Sequence, residues 1–265
     1  MTTFAIRHPP SANHVMTGLA PNSLHIDWSP LSITIVMLMV TAQYWLGPIL
    51  IRFKQTRPAS PQGMTVVGDD GIPSVLAPFV ARTRRELEAL GYSGFAVLKQ
   101  AAGIALLSAD AGGSVAVGLA LPKKDGTVHS LVGFTTQMRR GPKLRTSNSP
   151  LPSIVPSPGN EARLRLPDEH DVAKLHAIHA RLVARAIAAG GSIEPLSISD
   201  PIAYQEREER VNRTHAVECG YWVPRGDRLG LTWKGAFLSA WRLLPPWRGW
   251  SAWRDARAAR DALAA

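Results

Sequence analysis

The sequence predicts an α+β protein. A single N-terminal transmembrane helix leads into an antiparallel-sheet domain with packed helices, and a C-terminal amphipathic Trp/Arg-rich helix closes the chain. Three observations predict it. Residues 31–51, LSITIVMLMVTAQYWLGPILI, carry no charge. Residues 95–147 alternate short apolar runs with turn-forming residues. Six of the eight tryptophans lie between residues 222 and 253, interleaved with arginines.

The uncharged run comes first in the chain. At about 1.5 Å per residue it reaches roughly 30 Å, the thickness of a bilayer's hydrocarbon core. Its polar members, Ser32, Thr34, Thr41, Gln43 and Tyr44, are tolerable in a lipid-facing helix. Tyr44 and Trp45 make a partial aromatic belt. Pro48 falls near the end, where freed backbone groups lie close to the interface. A buried core helix is the first alternative, but such helices rarely run this far without a charge. A cleaved signal sequence is the second. It places its basic residues before the apolar run and a small-residue cleavage site after it. Here residues 1–30 precede the run, and Arg52, Lys54 and Arg57 follow it. Upstream, the only cation of this kind is Arg7. The positive-inside rule then predicts a single-pass protein of the cell inner membrane, with the N-terminus outside and residues 52–265 in the cytoplasm.

The formal net charge is +10 over 265 residues, and all of the excess lies after the span. A basic domain tethered to a membrane is expected to face the anionic inner leaflet. Nucleic acid is the other partner such charge serves. The single cysteine, Cys219, excludes an internal disulfide and a multi-cysteine metal site, and is expected to be a quiet thiol.

Along the chain, residues 1–30 read as a disordered extracytoplasmic tail, with Pro9, Pro10, Pro21 and Pro30 and three scattered histidines. Residues 52–72, with Pro58, Pro61 and three glycines, read as a juxtamembrane linker. Residues 73–148 read as a helix plus a β-meander. Leu76, Phe79, Thr83, Leu87 and Leu90 recur at helical spacing, and Gly91 ends the helix. Strands are predicted at 95–101, 104–108, 114–121 and 129–138, with a short one at 144–147. Asp125-Gly126 is the strongest hairpin signal among the breaks. Arg139, Arg140, Lys143 and Arg145 cluster around Gly141-Pro142, a basic turn that is either a solvated loop or a headgroup contact. Residues 149–166 hold four prolines and read as a linker.

Residues 167–232 read as two helices and a hairpin. The first helix starts near Pro167-Asp168 and ends at Gly190-Gly191, with His176 and His179 on its apolar face. His170 and Glu169 invite a metal reading. However, His176 and His179 are three apart with no Glu between them, so packed histidines are expected and no metal is assigned. The second runs from Ser199-Asp200-Pro201 to about Glu218, with alternating charges. Residues 221–232 read as the hairpin. Residues 233–265 form the amphipathic, membrane-apposed C-terminus. Trp233, Ala236, Phe237, Ala240, Trp241 and Leu244 share one helical face. After Pro245-Pro246 come Trp247, Arg248, Trp250 and Trp253. An aromatic face with cationic flanks is how an in-plane interfacial helix is built; the alternative is a domain helix that packs its aromatics inside.

No phosphate-binding glycine loop, dinucleotide fingerprint, nucleophile elbow or paired-cysteine pattern occurs. The expectation is a non-enzymatic protein without cofactor that binds or organises something at the membrane, a protein partner included. A second reading comes from Gly220-Tyr221-Trp222 followed by Leu231-Thr232-Trp233-Lys234-Gly235. This stretch of about fifteen residues resembles the end of a winged-helix wing, which implies a membrane-tethered nucleic-acid-binding regulator. The preceding helix carries Glu206, Glu208 and Glu209, which would face phosphates, so nucleic acid is not the expected partner.

Overall fold

The structure is a computed structural model. It describes residues 29–264 except Pro61, Gln62, Ala101, Lys124, Leu151, Pro152, Ile154 and Ser197. The expected tail therefore lies almost wholly outside the described residues. The described chain is α+β, with six helices and mixed sheets. By its contacts it divides after Val40.

Helix α1 is continuous over Pro30–Lys54, beginning one residue before and ending three residues after the uncharged run. Its last turn gains Arg52 and Lys54, cations that suit a helix C-terminus. A core helix would bury its aliphatic side chains, yet Leu38 is 63 % and Met39 66 % exposed, and Pro48 alone is buried. By length and composition α1 fits a membrane anchor or a signal sequence.

The second unit, Thr41–Ala265, is built on one large sheet. Its strands are β2 (Thr65–Val67), β3 (Ser93–Gln100), β4 (Gly103–Ala109), β5 (Ser114–Pro122), β6 (Val128–Met138), β7 (Lys143–Ser147) and β8 (Glu161–Arg165), side by side in chain order. Neighbours from β2 to β7 are antiparallel, as a meander requires. At the β5–β6 turn, Asp125 Oδ1 accepts from Thr127 N, and Gly126 takes φ 79°, a conformation that suits glycine. β9 (Ile193–Glu194) adds a short pairing to β6.

Two of the expected linkers are partly strand. In 149–166, β8 pairs with β7 in parallel, so the sheet is mixed rather than antiparallel throughout. Glu161-Ala162-Arg163-Leu164-Arg165 carries little apolar signal of its own; the free edge of β7 and the charges facing it supply the partner. In 52–72, β1 (Thr56–Pro58) pairs with β11 (Arg228–Leu231), and β2 joins β3. β11 also pairs with β10 (Trp222–Arg225), giving a small second sheet of order β1-β11-β10. Three-residue strands leave no period to read, so only the distant partner reveals them.

The helices follow their caps. α2 (Ala77–Glu88) starts with Pro78 in its first turn. α3 (Val172–Ala188) begins later than Pro167-Asp168 because Asp171 is the cap, accepting from the amides of Ala173 and Lys174. α4 (Pro201–Glu218) is capped by Asp200 as expected. α5 (Trp233–Leu243) and α6 (Trp247–Ala264) complete the chain.

The sheet's two faces are used differently. Ile104, Leu106, Ala116, Ala120, Val132 and Phe134 point toward α2 and α3 and are almost fully buried there. At roughly 1.5–3 kcal/mol for each large side chain, this face dominates stability. His179 of α3 closes its β6–β7 end. Its Nε2 lies 2.9 Å from Thr136 Oγ1 and its Nδ1 3.0 Å from Thr146 Oγ1. His176 packs edge-on against Tyr92 and Phe134. Both His179 nitrogens are therefore engaged in hydrogen bonds, as a packed histidine requires.

Burial, aided by the neighbouring His176, pushes the His179 imidazole down to about 4. The unfolded chain protonates this group near 6.5 and the folded chain only near 4, so within that window the unfolded state binds more protons. Stability should be full above about pH 6.5 and fall by on the order of 3 kcal/mol as pH approaches 4. Urea titration of the full chain in neutral detergent at pH 7.5 and 4.5 measures this, and His179→Gln should show the smaller difference.

Candidate membrane interface and adjoining groove

The aromatic C-terminus is set in place by a cap and a close approach. Thr232 Oγ1 accepts from the Gly235 amide at 2.9 Å and donates to the Gly220 carbonyl at 2.6 Å, starting α5 directly after β11. A Cβ on Gly235 would lie 2.1 Å from the Tyr221 carbonyl oxygen, so only glycine lets the helix sit this close. Ala236, Ser239 and Ala240 continue this buried, small-residue side.

The C-terminal half of α1 lies along α5 in the opposite direction. Tyr44 packs edge-on to Trp241, with ring centroids 5.8 Å apart, and its hydroxyl donates to the Pro245 carbonyl. Trp45 meets Phe237 at 6.4 Å. Gly47 passes over Ala240, whose Cβ a side chain there would reach at 3.8 Å. Arg52 stacks 4.4 Å over Trp233 and donates to the Leu231 carbonyl at 2.9 Å. Arg57 lies over Trp222. The rings then continue past the Pro245-Pro246 break: Trp241 to Trp247 at 5.6 Å, and Trp247 to Trp250 at 5.7 Å. Arg254 and Arg257 stack on Trp250 and Trp253.

The expected site residues Trp233, Phe237, Trp241, Trp247 and Trp250 thus form one row, joined by Arg52, and Trp253 extends it along α6. Each aromatic stays 38–53 % exposed, so the row is supported from beneath and open above. Lys54, Arg57 and Arg248 are exposed. Sequence reasoning missed Gly47 and Tyr221, because nothing local marks a glycine or a tyrosine as a helix-packing contact. It also treated Tyr44 and Trp45 as belt residues, when they are the partners of α5.

Beside this row lies a groove of about 1380 Å³, between the second face of the large sheet, α4, α5 and α6. That is larger than the roughly 300–1,000 Å³ of ordinary small-molecule pockets. Val117, Leu119, Leu121 and Leu131 form its floor and are only half-buried. Tyr204 of α4 is buried at its side, and burial pushes its hydroxyl up to about 12, keeping it neutral.

The β7–β8 end of the same face is charged. Glu208 of α4 takes Lys143 Nζ at 2.5 Å and Arg145 Nη2 at 2.6 Å. Glu161 pairs with Arg145 at 3.1 Å and Arg163 at 2.8 Å. Burial pushes the Glu161 carboxyl up, but the Arg163 hydrogen bond and the charges of Arg145, Arg163 and Lys143 outweigh it and hold the group below its usual value. Arg213 pairs with Glu209 at 2.7 Å, and Arg165 ties α6 down through Asp255 at 2.9 Å. Seven arginines and three carboxylates line the groove, an excess of four positive charges among the described residues. Lys143 and Arg145, expected in a basic turn, therefore serve this wall, while Arg139 and Arg140 stay exposed in the turn.

Cys219 is half-buried, with its sulfur 3.3 Å from His215 Nε2 one helical turn back. Among the described residues, no three His, Cys, Asp or Glu are placed to hold a metal. No protein-family model, curated protein or solved structure matches the chain.

Gly235→Ala should cost about 1–3 kcal/mol by overpacking, because the Tyr221 carbonyl cannot retreat while it accepts from Thr232 N at 3.0 Å. Ser239→Ala on the same buried side should be neutral or stabilising, since the Ser239 hydroxyl has no hydrogen-bond partner among the described residues. Thermal unfolding of the two variants side by side measures the contrast.

Proposed function

We propose that this is a single-pass membrane-anchored binding protein whose basic α+β domain lies against the anionic inner leaflet and holds or organises a partner there. One observation carries the reading: the half-exposed aromatic row is continuous, through Tyr44 and Trp45, with a helix long and apolar enough to cross a bilayer.

Depth follows from length. If residues 31–51 fill the hydrocarbon core, Tyr44 to Arg52 occupy its last 12 Å or so. α5 runs beside that segment, so its row follows the anchor instead of lying flat in the membrane plane. Trp233, beside Arg52, then falls at the acyl–headgroup boundary, which indole rings favour, and Trp241, beside Tyr44, lies about 12 Å inside it. Arg52, Lys54 and Arg57 reach the anionic headgroups, and the +10 charge adds attraction. The same basic cluster supports a cytoplasmic domain and an outside N-terminus.

A binding role fits a site made of rings, aliphatic floor and paired charges. The tethered-regulator alternative has the hairpin and the Thr232-capped helix that the winged-helix resemblance implies. Its recognition helix would be α4, however, whose Glu208 is paired with Lys143 and Arg145 of the sheet. A helix held this way does not enter a DNA groove.

The full chain should stay in the membrane pellet after alkaline carbonate washing and keep its own N-terminus. In vesicles with brominated acyl chains its tryptophan emission should be quenched, and Trp241→Phe with Trp247→Phe should remove much of that quenching. Binding to anionic over neutral vesicles should weaken with salt. Recovery of a shortened soluble chain starting after residue 51 would instead establish a signal sequence.

A further inference from the structure

We infer that the groove beside the anchor is a binding site for one anionic phospholipid drawn from the bilayer, its acyl chain on the β5–β6 floor and its headgroup at the arginine wall of β7–β8. The inference goes beyond anchoring, and it rests on the membrane reading only for the source of the lipid.

The floor needs an apolar occupant. Leu119 of β5 pairs with Leu131 of β6 on the groove face, and both are left half-exposed inside a concave site. The same strands bury their opposite face almost completely, so the exposure comes from the groove and not from loose packing. Between Leu131 and Thr135, Gly133 presents no side chain, which keeps the floor low.

The wall needs an anion. Arg145 and Arg163 face each other across β7 and β8 on the groove face. Lys143, Arg145, Arg163 and Arg165 meet Glu161, Glu208 and Asp255 there, an excess of one positive charge at the wall, and Arg57, Arg242 and Arg254 add to it elsewhere in the lining. A planar guanidinium donates two parallel hydrogen bonds to a phosphate, so a phosphodiester suits these side chains better than a point cation would. With strands about 4.8 Å apart and about 3.3 Å per residue, Arg145 and Arg163, level with Val115 four residues from Leu119, stand roughly 16–20 Å from it. That separation matches an amphiphile with one end apolar and the other anionic, and exceeds what a bare phosphate spans.

The mouth gives the source. Trp241, Trp247 and Trp250 line the groove and also form the exposed row beside Tyr44. A chain leaving the leaflet along that row enters the groove without crossing water. The volume, above that of ordinary small-molecule pockets, accommodates such a ligand.

The test uses the full chain purified in dodecyl maltoside, delipidated, and examined by native mass spectrometry with added lipid. One phosphatidylglycerol per chain is expected, with phosphatidylcholine at least about tenfold weaker, because its phosphodiester carries a choline cation that the arginines repel. Leu119→Trp, which fills the floor, and Arg163→Gln, which weakens the wall, should each reduce phosphatidylglycerol binding about tenfold or more with unchanged circular dichroism. If both lipids bind alike and neither variant matters, the lipid is only annular and the site is overturned. If inorganic phosphate displaces phosphatidylglycerol at low millimolar concentration, the wall is a free-anion site and the acyl floor is overturned. A chain that stays in membranes but takes no lipid in detergent overturns the groove and leaves the anchor standing. One that binds lipid yet partitions to the soluble fraction overturns the anchor and leaves the groove.

Discussion

Unequal burial of the two faces of β5 and β6 is the constraint on which the rest of the structure depends. One face is sealed by α2 and α3, with Phe134, Leu106 and Ala116 excluded from solvent. That seal supplies the stability that lets the other face stay half-open. A strand must place alternate side chains on opposite faces, so Val117, Leu119 and Leu131 cannot join the first core. They must be covered by something else. α4 covers them in part through Tyr204, and the groove is what remains.

The second organising contact is α1 against α5. Gly47 passes over Ala240, and the large rings of Tyr44, Trp45, Phe237 and Trp241 meet beside that crossing. The rings are half-exposed for that reason, and they form a row because they flank a single packing seam. β1 follows α1 after one residue and pairs with β11, whose end carries the Thr232 cap of α5. α1 and α5 are thereby tied together at the Arg52 end of the seam.

Charge is arranged around these contacts. The Glu208 and Glu161 network fixes α4 against β7 and β8 and leaves one cation more than acids on that side of the groove. Apolar floor, cationic wall and aromatic mouth therefore occur in sequence across one surface. Each results from a local requirement: strand alternation, pairing of carboxylates that would otherwise be buried alone, and helix packing through small residues.

The sequence by itself determined the uncharged helix, the strands from β3 to β7, the capped start of α4, the aromatic face of α5, and the clustering of tryptophan between residues 222 and 253. All of these are local: a period of two or 3.6, a turn residue, a cap. Only the tertiary structure decided that 56–58 and 161–165 are strands, since each is too short or too charged to show a period and is held by a partner far along the chain. It alone decided that His179 sits between Thr136 and Thr146, that Tyr44 and Trp45 pack on α5, and that the aromatic face of α5 stays half-exposed while Ala236 and Ala240 are buried. The groove was illegible for the same physical reason. Its floor, wall and mouth come from strands and helices spread over more than half the chain, and no local pattern records which surfaces will face each other once the two sides of a sheet have been shared out.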